Sequence, residues 1–187
     1  MRKIESLYLA GPDVFYPDAL DLAARKRELC EAAGLKALQP IESALVESEP
    51  SEAMAREIYA GALQLLRQSD AVIANLTPWR GPNADPGTAF EAGVASGLGK
   101  PLFAYMNVAE EEQAEHRARV MNWIGGRLDL DGKWRDADEC VIEDFGLPEN
   151  LMLWAEARRL YVIVTPDVLT DLTGLELCLD AVKLYAE

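Results

Sequence analysis

The order of predicted elements constrains this chain most. Ile4–Gly11 ("IESLYLAG") is a short β-rich run that stops at Gly11-Pro12. In residues 18–34, Leu20, Ala23, Ala24 and Leu29 recur near helical spacing, and Gly34 is placed as a C-cap. "KALQP" is a short strand closed by Pro40, and residues 48–70 read as a second helix with Ser51 as candidate N-cap. Asp70–Leu76 ("DAVIANL") has the continuous apolar run of a buried strand, with Asp70 as a turn residue before it. A loop rich in turn residues follows, then a helix opening at Asp85-Pro86, then the strand "PLFAYM". Residues 107–148 are acidic and less regular, carry Trp123 and Trp134, and are expected to form a helix and a flap. "RLYVIV" reads as a fifth strand, and residues 170–187 as a closing amphipathic helix. Strand and helix alternating in this way predict an α/β fold of the Rossmann or flavodoxin-like kind. Its sheet is doubly wound, five-stranded and mainly parallel, with helices on both faces. No repeat, low-complexity tract or linker divides residues 1–187, which are expected to form a single domain.

Charge and residue usage remove several functions. The net charge is −14, so DNA or RNA would be repelled and a nucleic-acid polymer is not an expected partner. No run is long enough to span a membrane, and the N-terminal residues lack a signal-peptide pattern. Cys30, Cys140 and Cys178 are scattered and odd in number, which points to a reducing cytoplasm rather than a disulfide framework or a metal site. The one histidine, His116, lies in the charged stretch "EEEQAEHRAR" and is expected on a solvated helix face, which sets aside His-dependent triads. Neither Gly-x-Gly-x-x-Gly nor a Walker motif is present, so a dinucleotide cofactor is not indicated.

In a doubly wound sheet the ligand lies outside the carboxyl ends of the strands, where the strand order reverses. The residues there are Tyr8 to Asp13 and Asn75 to Asp85. The helix after Asp85 surrounds one carboxylate, Glu91, with Gly87, Thr88, Ala92 and Ala95, while Phe90, Val94 and Leu98 are expected to face the sheet. Glu91 leans back toward the loop that carries Asp85. This pattern fits two readings. In one, the small residues permit close helix–sheet packing and Glu91 is solvated. In the other, they leave a pocket with a carboxylate in its floor.

"LYLAGPDVF", "SDAVIANLTPWRGPNADPGTAFEAGVASGLGKPLFAYM" and "EDFGLPENLML" together resemble the nucleoside 2-deoxyribosyltransferase family, in the family's order, across most of residues 4–155. The resemblance implies transfer of 2-deoxyribose between nucleobases, with a nucleoside and a free nucleobase as small-molecule partners and no metal or organic cofactor. Glu91 matches the nucleophile, expected to be ionised at neutral pH. Asp85 matches a carboxylate near sugar and base and is a candidate proton donor; by pattern alone it is also the helix cap. Tyr8 matches a tyrosine that orients the nucleophile and crowds the 2′ position, although an ordinary strand-end tyrosine would look the same. Gly11, Asp13 and Phe15 in the first block, and Gln39 at the end of the second strand, are candidate substrate-binding residues. Asn150 and Met152 match residues inserted by a neighbouring subunit, which implies a homodimer or higher homo-oligomer with shared sites; Asn150 also reads as a cap for a helix starting at Leu151. The chain departs from the family at Ala62, where an Asp or Asn often faces the base, so base preference does not carry over. Two other functions remain open: hydrolysis of deoxynucleosides or nucleoside 5′-monophosphates on the same scaffold, and binding of nucleosides without catalysis.

Overall fold

The computed structural model describes residues 3–40 and 50–186. Ser48 and Glu49, at the start of the expected second helix, lie outside the described residues. Five strands form one parallel sheet: β1 (Ser6–Ala10), β2 (Lys36–Leu38), β3 (Ala71–Asn75), β4 (Leu102–Val108) and β7 (Leu160–Val164). Their spatial order is β2-β1-β3-β4-β7. Chain order therefore reverses between β1 and β3, which opens a crevice at their carboxyl ends.

Side chains alternate across the sheet with a period of two. Leu7, Leu9, Ile73, Phe103 and Tyr105 enter one core with Leu22 and Cys30 of α1 (Ala19–Ala32) and with Leu175, Cys178, Leu179 and Val182 of α6 (Thr173–Ala186). Tyr8, Ala10, Val72, Ala74, Ala104 and Met106 enter the other core, with Leu66 of α2 (Glu52–Gln68) and Ala92 and Ala95 of α3 (Pro86–Gly97). Helices thus cover both faces, and every residue of β3 and β4 is buried.

The expected caps form. Ser51 accepts a hydrogen bond from the Met54 amide at 3.1 Å. Gly34, at φ 78°, takes the left-handed position just after α1, and its amide donates to Glu31 at 2.9 Å. Asp70 accepts from the Glu5 and Ser6 amides and the Ser6 hydroxyl, tying the start of β1 to that of β3.

Two helix faces differ from expectation. The buried side of α1 is Ala19, Leu22, Ala23, Lys26 and Cys30, while Leu20 is exposed. On α3 the sheet-facing residues are Thr88, Ala92 and Ala95, and Phe90 and Leu98 are largely exposed. Val94, as expected, packs partly buried against the same core. Phe90 instead meets Tyr59 of α2, ring centroids 6.1 Å apart.

Residues 107–148 do contain a helix, α4 (His116–Ile124), and a flap, the antiparallel pair β5 (Arg127–Leu128) and β6 (Trp134–Arg135). His116 is not on a solvated face. It is only 9% exposed, with Nε2 2.7 Å from Asn83 Oδ1 and its amide donating to the Leu147 carbonyl at 2.9 Å, because the loop after β3 and the residues before Leu151 pack against the start of α4. A short α5 (Leu151–Glu156) follows. Among the described residues no helix is long and apolar enough to cross a membrane.

Candidate active site

The crevice between β1 and β3 brings Tyr8, Glu91 and Asp85 together. Tyr8 is fully buried, and its hydroxyl donates to Glu91 Oε1 at 2.5 Å. β1 supplies the phenol from its α3-facing side, and α3 supplies the carboxylate from the turn above Thr88 and Ala92. Asp85 caps α3: its carboxylate accepts from the Thr88 amide at 2.8 Å and the Thr88 hydroxyl at 3.1 Å. A Cβ on Gly87 would stand 3.0 Å from Asp85 Oδ2, so a small residue at this position leaves the carboxylate uncrowded.

Burial pushes the Glu91 carboxyl up to about 7; the Tyr8 hydrogen bond works against the rise, and the charge of Asp85 adds to it. The same burial, followed by the charge of Glu91, holds the Tyr8 phenol well above its ordinary range. Tyr8 is therefore a fixed hydrogen donor, not a base. Burial thus favours the protonated form of Glu91 more than water does, while a value of about 7 keeps the ionised form within reach at neutral pH.

The loop after β1 is built from a second polar group. Asp13 pairs with Lys26 of α1 through one carboxylate oxygen and accepts from Asn75 Nδ2 at 2.9 Å through the other. Asn75 Oδ1 accepts from the Thr77 amide and hydroxyl at 3.1 and 2.6 Å, and Thr77 Oγ1 accepts from the Asn107 amide at 3.0 Å. This chain laces the carboxyl ends of β1, β3 and β4 to α1. Gly11 is required by it, since a Cβ there would stand 2.8 Å from Asp13 Oδ2 and 2.9 Å from Asn75 Cβ. Each Asp13 oxygen thus has one partner within the protein. Gln39 likewise donates to the Ala23 carbonyl at 3.1 Å and holds the end of β2 to α1. Phe15 is half exposed and stacks on Trp79 at 5.7 Å.

Asn150 and Met152 are elsewhere. Asn150 caps α5, its Oδ1 accepting from the Met152 amide at 3.1 Å, while its Nδ2 donates to Glu143 at 3.1 Å. Met152 is 71% exposed. Both border a cavity of about 830 Å³ that is also lined by Ala89, Gly93, Ser96 and His116. With 100° per residue, that face of α3 lies roughly 150° round the helix from Glu91. Within one subunit they do not complete the Glu91 site. Among the described residues no group of three His, Cys, Asp or Glu side chains could hold a metal ion.

Sequence reasoning missed Lys26, and it placed Asn75 and Thr77 at the strand ends without giving either a role. Lys26 carried a signal: it falls on the same helical stripe as Leu22, Ala23 and Cys30, and a cation on a buried stripe needs a partner.

Residues 7–152 match the family model for nucleoside 2-deoxyribosyltransferase. The chain belongs to the nucleoside 2-deoxyribosyltransferase family. It is 30% identical to a 2-deoxyribosyltransferase from Leishmania mexicana, with a TM-score of 0.55 over 80% of this chain and 85% of that one. An uncharacterised protein of Schizosaccharomyces pombe is 30% identical over 160 residues, 81% of this chain and 76% of the relative. A conserved protein of Enterococcus faecalis shares the fold at 20% identity, with a TM-score of 0.56 over 97% of this chain and 99% of that one. Membership makes the chain an enzyme of the nucleoside deoxyribosyltransferase kind, and the Tyr8–Glu91–Asp85 group falls inside the matched region.

Proposed function

We propose that this protein transfers 2-deoxyribose between nucleobases through a covalent intermediate on Glu91. The observation that carries the reading is a partly buried carboxylate at the strand-order reversal, hydrogen-bonded at 2.5 Å to a fully buried phenol and, among the described residues, without a cationic partner. A cation paired to Glu91 would quench its nucleophilicity. A phenol orients it and leaves its other oxygen for the substrate.

The chemistry balances in two displacements. As the C1′–N bond of the donor lengthens, positive charge builds on the sugar, and the Glu91 carboxylate stabilises it and bonds to C1′. The electrons of the broken bond go to the departing base, which is neutralised by a proton that Asp85 takes up from solvent in the substrate complex. A nitrogen of the incoming base then attacks C1′, the C1′–O bond to Glu91 breaks, and the proton returns to Asp85. Two inversions give net retention and ping-pong kinetics. Tyr8 beside Glu91 crowds the 2′ position, which favours 2′-deoxyribose. The position of Asn150 and Met152, across α3 from their own Glu91, supports insertion into a neighbouring subunit's site, and so a homo-oligomer in which residues 1–187 act as one domain.

The test supplies deoxyinosine and free adenine and scores deoxyadenosine against free deoxyribose. New nucleoside should form faster than free sugar is released when adenine is abundant. Release of sugar alone would make the protein a hydrolase, and neither product would leave a nucleoside binder. A slow 2′-fluoro nucleoside should leave a sugar adduct on the peptide that contains Glu91, and an adduct elsewhere would overturn the mechanism.

A further inference from the structure

The loops after β1 and β3 raise a cation to the mouth of the crevice. Arg80 is exposed, and its guanidinium carbon lies 5.4 Å from the Phe15 ring centroid and 5.1 Å from that of Trp79. With the two rings 5.7 Å apart and within 11° of parallel, the three groups form a nearly equilateral triangle. The backbone of Arg80 is left-handed, at φ 52°, a conformation that costs free energy for any residue with a Cβ and that concentrates at functional sites. Among the described residues no carboxylate or carbonyl accepts a hydrogen bond from its guanidinium, in a chain with 32 acidic residues. The loop is closed on itself by a hydrogen bond from the Trp79 amide to the Asn83 carbonyl at 3.0 Å, two residues before Asp85. A strained backbone therefore presents a cation, braced by two aromatic faces, with its donors unspent.

We propose that Arg80 reads the nucleobase. It donates to the carbonyl edge of a base lying at the Phe15–Trp79 platform and so selects oxo bases over amino bases. The inference rests on the deoxyribosyl-transfer reading above. A flat ligand suits an aromatic platform, and a guanidinium pairs in its own plane with the O6 and N7 acceptors of a 6-oxopurine. The 6-amino group of adenine puts a donor against those donors. α2 offers no competing polar contact at Ala62. A 5′-phosphate is the less suitable occupant, because Asp85 stands at the end of the same loop and the chain carries a net charge of −14.

Calorimetric binding of hypoxanthine and adenine tests this without any turnover. The wild type should bind hypoxanthine at least about tenfold more tightly than adenine. Arg80→Asn should bring the two within about twofold, and Arg80→Lys should retain part of the preference. Asn tolerates the left-handed backbone, so this variant should fold, and an unchanged thermal transition would confirm it. A preference that survives Arg80→Asn, equal binding by the wild type, or binding of neither base overturns the proposal. So does an Arg80-dependent gain for deoxyinosine 5′-monophosphate over deoxyinosine in the absence of base discrimination, which would assign Arg80 to phosphate. Base exchange by the wild type without oxo preference would sink this inference and leave transfer standing. Arg80-dependent discrimination without any exchange would do the reverse.

Discussion

Glu91 and Glu149 both leave water on folding, and the fold gives them opposite neighbours. Glu149 is 1% exposed and accepts from Arg119 Nη2 at 3.2 Å and from the Asn150 amide at 2.9 Å. Arg119 also holds the Pro82, Gln113 and Pro148 carbonyls, so this ion pair staples the loop after β3 to α4 and α5. Glu91 has a phenol and, among the described residues, no cation, and burial raises its pKa to about 7. A carboxylate matched to a guanidinium is structural, because its charge is already answered. One left with only a neutral donor keeps its charge for something else.

The widest test of this contrast is turnover. Glu91→Ala should cut base exchange by at least about a thousandfold, the scale of lost covalent catalysis, and leave the protein folded. Glu149→Ala should do the opposite. Stranding Arg119 in the interior should cost about 3–5 kcal/mol in chemical denaturation, with activity per folded molecule far less affected. Equal losses of turnover in the two variants would erase the distinction.

Stability against pH sharpens it. Between an ordinary glutamate pKa of about 4.3 and the raised value of about 7, the folded protein keeps a proton that the unfolded chain has released. Glu91 therefore costs stability as pH rises through that window, and the cost is complete above it. Glu91→Gln should be more stable than the wild type by up to about 3 kcal/mol at pH 8 and nearly equal to it at pH 4. A variant equally stable at both pH values would show that Glu91 is not strained by burial.

The smallest effect concerns the phenol. The wild-type kcat/KM should rise with pH through about 7 as Glu91 ionises. Because the Tyr8 hydrogen bond lowers that pKa, Tyr8→Phe should move the rising limb to higher pH and slow exchange by about tenfold. An unmoved limb would mean that the 2.5 Å contact contributes little to the ionised state.

Much of this molecule was legible in its residues. The apolar runs at Asp70–Leu76 and "PLFAYM" gave β3 and β4, since only a strand covered on both faces tolerates such continuity. Asp85-Pro86 gave the start of α3, because capping is a local matter of one side chain and the amides beside it. The motif blocks gave the family and drew attention to Glu91, Asp85 and Tyr8. Helix faces were less legible: Phe90, Val94 and Leu98 have the spacing of a core stripe, yet Thr88, Ala92 and Ala95 are buried, Val94 only partly so, and Phe90 and Leu98 are exposed.

What the sequence determined by itself was the set of elements, their order and the identity of the groups that can react. Hydrophobic period, caps and turns act over a few residues and can be read one segment at a time. Only the tertiary structure decided how those groups behave. The pKa of Glu91, the pairing of Asp13 with Lys26 and the burial of His116 each depend on residues far apart in the chain. Desolvation and hydrogen bonding act through space, at distances set by packing rather than by position along the chain.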